Sequence, residues 1–234
     1  MEKDKPSSPD ISKKSKTDHA LSGLKALLST APFTGGLASL MNDYIPDSIE
    51  KRARELLMQL NEDFKSLEER YNEEVLTKDY FITTFLTAFK QAVETHQEEK
   101  INAFRAIILN TLLISEPNED EIAFFINITQ RLTPIHIKLL RIFSNPQSSL
   151  DNNPEAKSKL QNISMGGLSS LTLALLPGYD DNLIENAFKD LYNMGFHTTS
   201  SYRTTMTGHG ITQKRTSEFG DRYLQFITLP IEIQ

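Results

Sequence analysis

The 234-residue chain carries 25 basic and 31 acidic residues, a formal net charge of −6, and contains no cysteine. At this length a chain buries most of its apolar surface without a covalent staple, and the lack of cysteine excludes disulfides, thiolate metal sites and thiol nucleophiles. Basic against acidic counts run 6 to 5 over residues 1–45, 10 to 17 over 46–132 and 9 to 9 over 133–234, so the middle repels a phosphate backbone and nucleic-acid contacts are expected elsewhere.

Residues 1–17 mix lysine, serine and proline without an apolar run. They read as a disordered tail with no targeting signal, and with the missing cysteines they lead to a cytoplasmic expectation. Residues 18–45 form an apolar, glycine-containing segment. Between 20 and 41 Lys25 is the only charge, and Pro32, Gly35 and Gly36 interrupt it. Each arm is about half of the ~20 apolar residues a membrane span needs. The expectation is a helical hairpin, whose Leu24, Leu27, Leu28, Phe33, Leu37 and Leu40 are candidate contacts for the protein's own core, a partner or a membrane.

Residues 46–132 read as an amphipathic helical bundle. After Pro46 and Asp47, apolar residues recur at Ile49, Ala53, Leu56, Leu60, Phe64, Leu67 and Tyr71. Spacings of three and four put them on one face of a helix of about seven turns. Helices over 78–96 and 98–114 follow, the second carrying Asn110 inside its apolar run. A buried asparagine must be hydrogen-bonded, so Asn110 is expected to meet a helix end or a neighbouring backbone. Pro117 and Asn118 restart the chain with Glu119, Asp120 and Glu121 in a first helical turn. Short connections between such helices favour an antiparallel bundle.

From residue 133 the pattern changes. Thr133-Pro134 is a helix start, threonine as cap and proline at the first helical position. Residues 144–164 are polar with two prolines and read as a loop, with at most a helical turn at 155–160. A short helix over 168–176 ends at Pro177-Gly178. Another over 181–194 ends at Gly195 in the position after the cap. Residues 196–205 and 210–215 flank Thr207-Gly208-His209-Gly210 and read as a small β-hairpin, with a last helix near 217–226.

Helix, helix, helix, hairpin is the order of a winged helix. The stretch DNLIENAFKDLYNMGF resembles its third helix leading into the first wing strand, and TSEFGDRYLQFI is similar to the Thr-x-x-Gly-x-x-Phe-Leu-x-x-Ile close that follows the wing. The expected fold is therefore mainly α, a helical bundle followed by a winged-helix-like domain over 133–234 with a small hairpin. The whole chain also resembles uncharacterised bacterial helical proteins with a C-terminal winged-helix-like part. That resemblance implies no particular activity and points to a phage-defence or stress setting.

A winged helix implies DNA contact by its third helix and wing. Glu185 and Asp190 against Lys189 make the helix a poor match to phosphate. The span from Leu191 to Ser217 has no acid and carries Arg203, Lys214 and Arg215 with His209 and Tyr202, which are the candidate nucleic-acid contacts. His19, His96, His136, His197 and His209 show no metal-type spacing. His96 suits a helix end, and His209 between two glycines suits a turn. Gly35-Gly36 and Gly166-Gly167 lack the Gly-Lys-Ser/Thr of a phosphate loop, and the acidic pairs read as solvated faces.

No catalytic, cofactor-binding or metal residue is expected. The leading expectation is a non-enzymatic protein-interaction or regulatory protein, self-associating or docking a partner, in a bacterial defence or stress system. The alternatives are a winged-helix DNA-binding regulator and a membrane-perturbing effector using residues 20–41.

Overall fold

A computed structural model describes residues 47–160 and 165–231. The tail over 1–17 and the apolar segment over 18–45, with Leu24, Leu27, Leu28, Phe33, Leu37 and Leu40, lie outside the described residues. The protein is mainly helical: the described residues hold eleven α-helices and one two-stranded sheet. Among them no helix is long and apolar enough to cross a membrane.

The chain divides into two compact units, Met1–Ile82 and Thr83–Gln234. In the first, α1 (Asp47–Ser66) buries Leu56, Leu60 and Phe64, as its periodicity requires. It stops at Ser66, short of Tyr71. Leu67 N still donates to Asp63 O, but Glu68 N and Arg70 N bond carbonyls only three residues back, the tightened geometry of a frayed end. Adjacent Glu68 and Glu69 also oppose the negative pole of the helix. Phe64 and Tyr71 remain in edge contact at 6.0 Å.

α2 (Asp79–Glu94) leads into the second unit, where α3 (Glu98–Leu113) is buried on nearly every side, from Ala103 and Phe104 to Thr111 and Leu112. α4 (Glu119–Arg131) starts where Asn118 caps the Glu121 N–H at 3.2 Å. α5 (Pro134–Ser144) starts at Thr133-Pro134, its first turn closed by the Thr133 N–H donating to His136 Nδ1 at 3.2 Å. The expected loop over 144–164 instead holds α6 (Pro146–Asp151) and α7 (Pro154–Leu160). Asn145 accepts from Ser148 N and Asn153 from Ala156 N, both at 3.0 Å. Each prolyl residue opens a helix behind an asparagine cap, so these prolines are starts and not breaks.

α8 (Leu168–Leu175) and α9 (Asp181–Asn193) follow the short strand β1 (Met165–Gly166). α9 ends in a paired C-terminal motif: Phe196 N bonds Leu191 O at 3.0 Å and Gly195 N bonds Tyr192 O at 2.9 Å. Gly195 takes φ +78°, a conformation that favours glycine.

The hairpin expected between 196–205 and 210–215 is absent. β2 (Met206–Thr207) pairs antiparallel with β1, and Gly208-His209-Gly210 lies in a short helix, α10 (Gly208–Ile211), capped by Thr207. Residues 198–205 are mostly serine and threonine with no alternating apolar face to bury. The ends of this excursion meet only at one bridge, His197 to Thr216.

The last helix, α11 (Glu218–Phe226), packs on α3 and α5. Tyr223 is fully buried, stacks on Phe196 at 4.7 Å and bonds Thr129 of α4 at 3.0 Å. Asn110 of α3 reaches the end of α11, its amide 2.9 Å from Phe226 O and Thr228 O and 3.2 Å from Gln225 O. The helix-end contact is the one expected, with Asn110 itself half-buried. Residues 133–231 thus pack with α3 and α4 within the second unit.

Candidate interaction face

The cations singled out in the sequence are already engaged within the second unit. Arg203 places Nη2 2.8 Å from Asp181 and 2.7 Å from Glu185 of α9, and its guanidinium lies over the Tyr202 ring at 5.6 Å. The Asp181 and Glu185 bonds raise its pKa. Lys189 also binds Glu185 at 2.8 Å, and the bonds from Lys189 and then Arg203 hold that carboxyl below its usual range. Lys214 pairs with Asp221 at 2.6 Å. Burial pushes the Asp221 carboxyl up, but bonds from Lys214 and Thr216 outweigh it and leave it lowered. Arg215 is turned inward, its guanidinium donating to Gly210 O and to Met206 Sδ, and burial lowers its pKa.

Tyr202 is 3% exposed, with its hydroxyl 2.5 Å from Thr172 Oγ1 and 3.2 Å from Asp181. Burial pushes it up to about 12, so it stays a neutral hydrogen-bonding phenol. Tyr202 and Arg203 therefore form a bracket that fastens the excursion to α8 and α9. His209 is separate from this bracket. It borders a groove of about 310 Å3 between α6, α7 and α10, with Leu150, Leu160 and Ile211 as apolar walls and Gln147 and Lys157 as polar ones. Lys157 is bound to Asp151 at 2.7 Å. The five candidates thus do not converge on one cationic surface.

Exposed pairs of this kind contribute about 0–1 kcal/mol each. Arg203→Met, which keeps the stem and removes both acid contacts, is accordingly expected to leave stability close to that of wild type. Urea unfolding at low and high salt checks it, the difference from wild type shrinking as salt rises.

α9 also carries a feature that counting charges misses. Ile184, Ala187, Phe188 and Leu191 are buried, which sends Asn182, Asn186, Lys189 and Asn193 to the opposite side, all four exposed. Their spacing of four, three and four residues aligns them in one ridge. Leu183 and Tyr192, 48% and 41% exposed, flank the ridge on either side. Of the two acids that count against this helix, Glu185 is answered by Arg203 and Lys189, while exposed Asp190 lies 3.4 Å from His136 Nε2. Asparagine is a poor helix former, so three in thirteen residues on the solvent side lower helix stability without a packing return. The ridge was legible in the spacing of the amides.

Among the described residues no group of three or more histidine, aspartate or glutamate side chains suits a metal ion. No family model, no curated protein and no solved structure matches the chain.

Proposed function

We propose that this chain is a non-enzymatic protein-interaction or regulatory protein that engages a protein partner through the outward ridge of α9, in the bacterial defence or stress setting its sequence resemblance implies. The observation that carries this reading is the exposed row Asn182, Asn186, Lys189 and Asn193, with partly exposed Leu183 and Tyr192 beside it. Amides offer a donor and an acceptor each, and exposed apolar flanks supply area to bury. The order α5, β1, α8, α9, β2 and the β1–β2 pairing support a winged-helix-like arrangement, which presents the second helix of the α8–α9 pair outward.

DNA binding is the second reading, favoured by the same ridge because asparagine pairs with the adenine edge in a major groove. It ranks below the protein reading because Arg203, Lys214 and Arg215 are spent on internal contacts, while phosphate neutralisation supplies most non-specific affinity.

The test is the triple variant N182A/N186A/N193A. Alanine is the better helix former, so the variant is expected to gain about 1 kcal/mol of stability while losing its partner. Cross-linking of full-length protein in its native cells, wild type against variant, reads this out. A partner captured equally by both, or a duplex DNA shift abolished by the variant, removes the protein reading.

A further inference from the structure

His197 stands at the base of the excursion formed by residues 198–215, and aromatic rings enclose it. It is 2% exposed, with ring centroids 4.4 Å from Phe188, 5.4 Å from Phe143 and 5.7 Å from Tyr192. Nε2 lies 2.9 Å from the Phe188 carbonyl oxygen. An acceptor there makes Nε2 the protonated nitrogen of the neutral ring. Nδ1 is buried with no partner in hydrogen-bond geometry among the described residues, so a second proton there would have rings around it and at most the Thr199 backbone to favour it.

The neighbours do not compensate such a charge. From α9 the ring meets the rings of Phe188 and Tyr192, and from α5 it meets Phe143. On the bridging segment Arg215 is the charged group next to Thr216, and it sends its guanidinium to Gly210 O and Met206 Sδ. None of these is a carboxylate. Burial lowers the imidazole pKa, opposed only in part by the backbone of Phe188 and Thr199.

The main chain on either side of His197 fastens the two ends of the excursion. His197 bridges Thr216, with Thr198 N on Arg215 O at 3.1 Å and Ser217 N on Phe196 O at 3.0 Å. Arg215 N in turn bonds Phe143 O of α5 at 2.8 Å. A ring driven out of its cage takes this junction with it.

We propose that His197 is a proton-sensitive latch: neutral, it holds the ends of the 198–215 excursion against α5 and α9, and on taking up a proton it leaves the cage and the excursion opens. Opening lifts the Tyr202–Arg203 bracket from the flank of α9. The latch stands independently of which partner α9 binds. The folded imidazole has the lower pKa, so the open state takes up the proton first. The latch is therefore fully closed above the ordinary imidazole value of about 6.5 and weakens as pH falls below it. Asp221, whose pKa is lowered, stays ionised across this window.

Hydrogen exchange of the full chain at pH 7.5 and 5.0, corrected for intrinsic rates, tests it. Expected is at least a tenfold loss of protection over 198–215 at pH 5.0, with α3 and α4 unchanged. His197→Gln, which keeps a side-chain N–H for Phe188 O, is expected to show no such pH dependence. Equal wild-type protection at both pH values overturns the latch, as does an equal pH-dependent loss in the glutamine variant. Should that variant not fold, an NMR titration of wild-type His197 decides. A midpoint below 6.5 with co-titrating amides in 198–215 supports the latch, and any other result overturns it.

Discussion

Gly220→Ala is expected to destabilise the protein by about 3 kcal/mol, the upper end of the cost of overpacking. A Cβ at Gly220 would lie 2.1 Å from the carbonyl oxygen of Phe196. Both sides of that contact are main chain. Gly220 sits in the first turn of α11, its N–H bonded to Ser217 Oγ at 3.0 Å. Phe196 O accepts from Ser217 N, and its ring is stacked on Tyr223 and Phe219. Neither strand of the contact can retreat without breaking a cap or an aromatic stack, so the helix-propensity gain of alanine over glycine, about 1 kcal/mol, does not rescue the variant. Denaturant unfolding measures it, with Glu218→Ala on the same turn as a control expected within about 0.5 kcal/mol of wild type. A Gly220→Ala midpoint at or above that of wild type would contradict the close approach of α11 to Phe196.

Asn110→Leu is expected to cost about 1 kcal/mol, in the range for a hydrogen bond lost from a half-buried group. One amide answers three carbonyls at the end of α11, and leucine of similar size fills the space while removing the donor from Phe226 O and Thr228 O; Gln225 O keeps a backbone donor. Asn110→Asp is the sharper probe. It removes the N–H donors and sets a carboxylate against the negative pole of α11. Its cost is expected to exceed that of leucine at pH 7 and to shrink as acid protonates the carboxyl, which then donates again. Stability of the aspartate variant measured from pH 7 to pH 4 checks the sign. A cost that is flat with pH would mean that residue 110 does not face those carbonyls.

The elements most legible in the sequence are those whose signals are local. Thr133-Pro134 opens α5 and Gly195 closes α9 because each depends on a few adjacent backbone groups. Asn110 could be read as a helix-end ligand from the cost of burying an amide, although the end it serves lies over a hundred residues away. Asn145-Pro146 and Asn153-Pro154 carry the same cap-and-proline signal as Thr133-Pro134. Two prolines in a polar run look like loop, yet each is a helix start.

What depends on distant partners was not legible. The hairpin reading put Met206 and Thr207 in its turn region, whereas their pairing with Met165 and Gly166 is set by which edges the packed helices leave available. The basic character of 191–217 is plain in the sequence. That Arg203 is consumed by Asp181 and Glu185 depends on the excursion folding back over α9, which no local pattern announces. The amide ridge is the reverse case, visible in residue spacing but obscured by Glu185 and Asp190, of which the fold pairs Glu185 with Arg203 and Lys189.

The claim that α9 is a protein-binding ridge is tested most directly by photo-cross-linking from position 186 in the full-length chain, with a second probe at Lys159 on α7 as reference. The expected result is a protein adduct formed from position 186 and not from position 159, in cells and after nuclease treatment. A nucleic-acid adduct from position 186, or the same adducts from both positions, would contradict it.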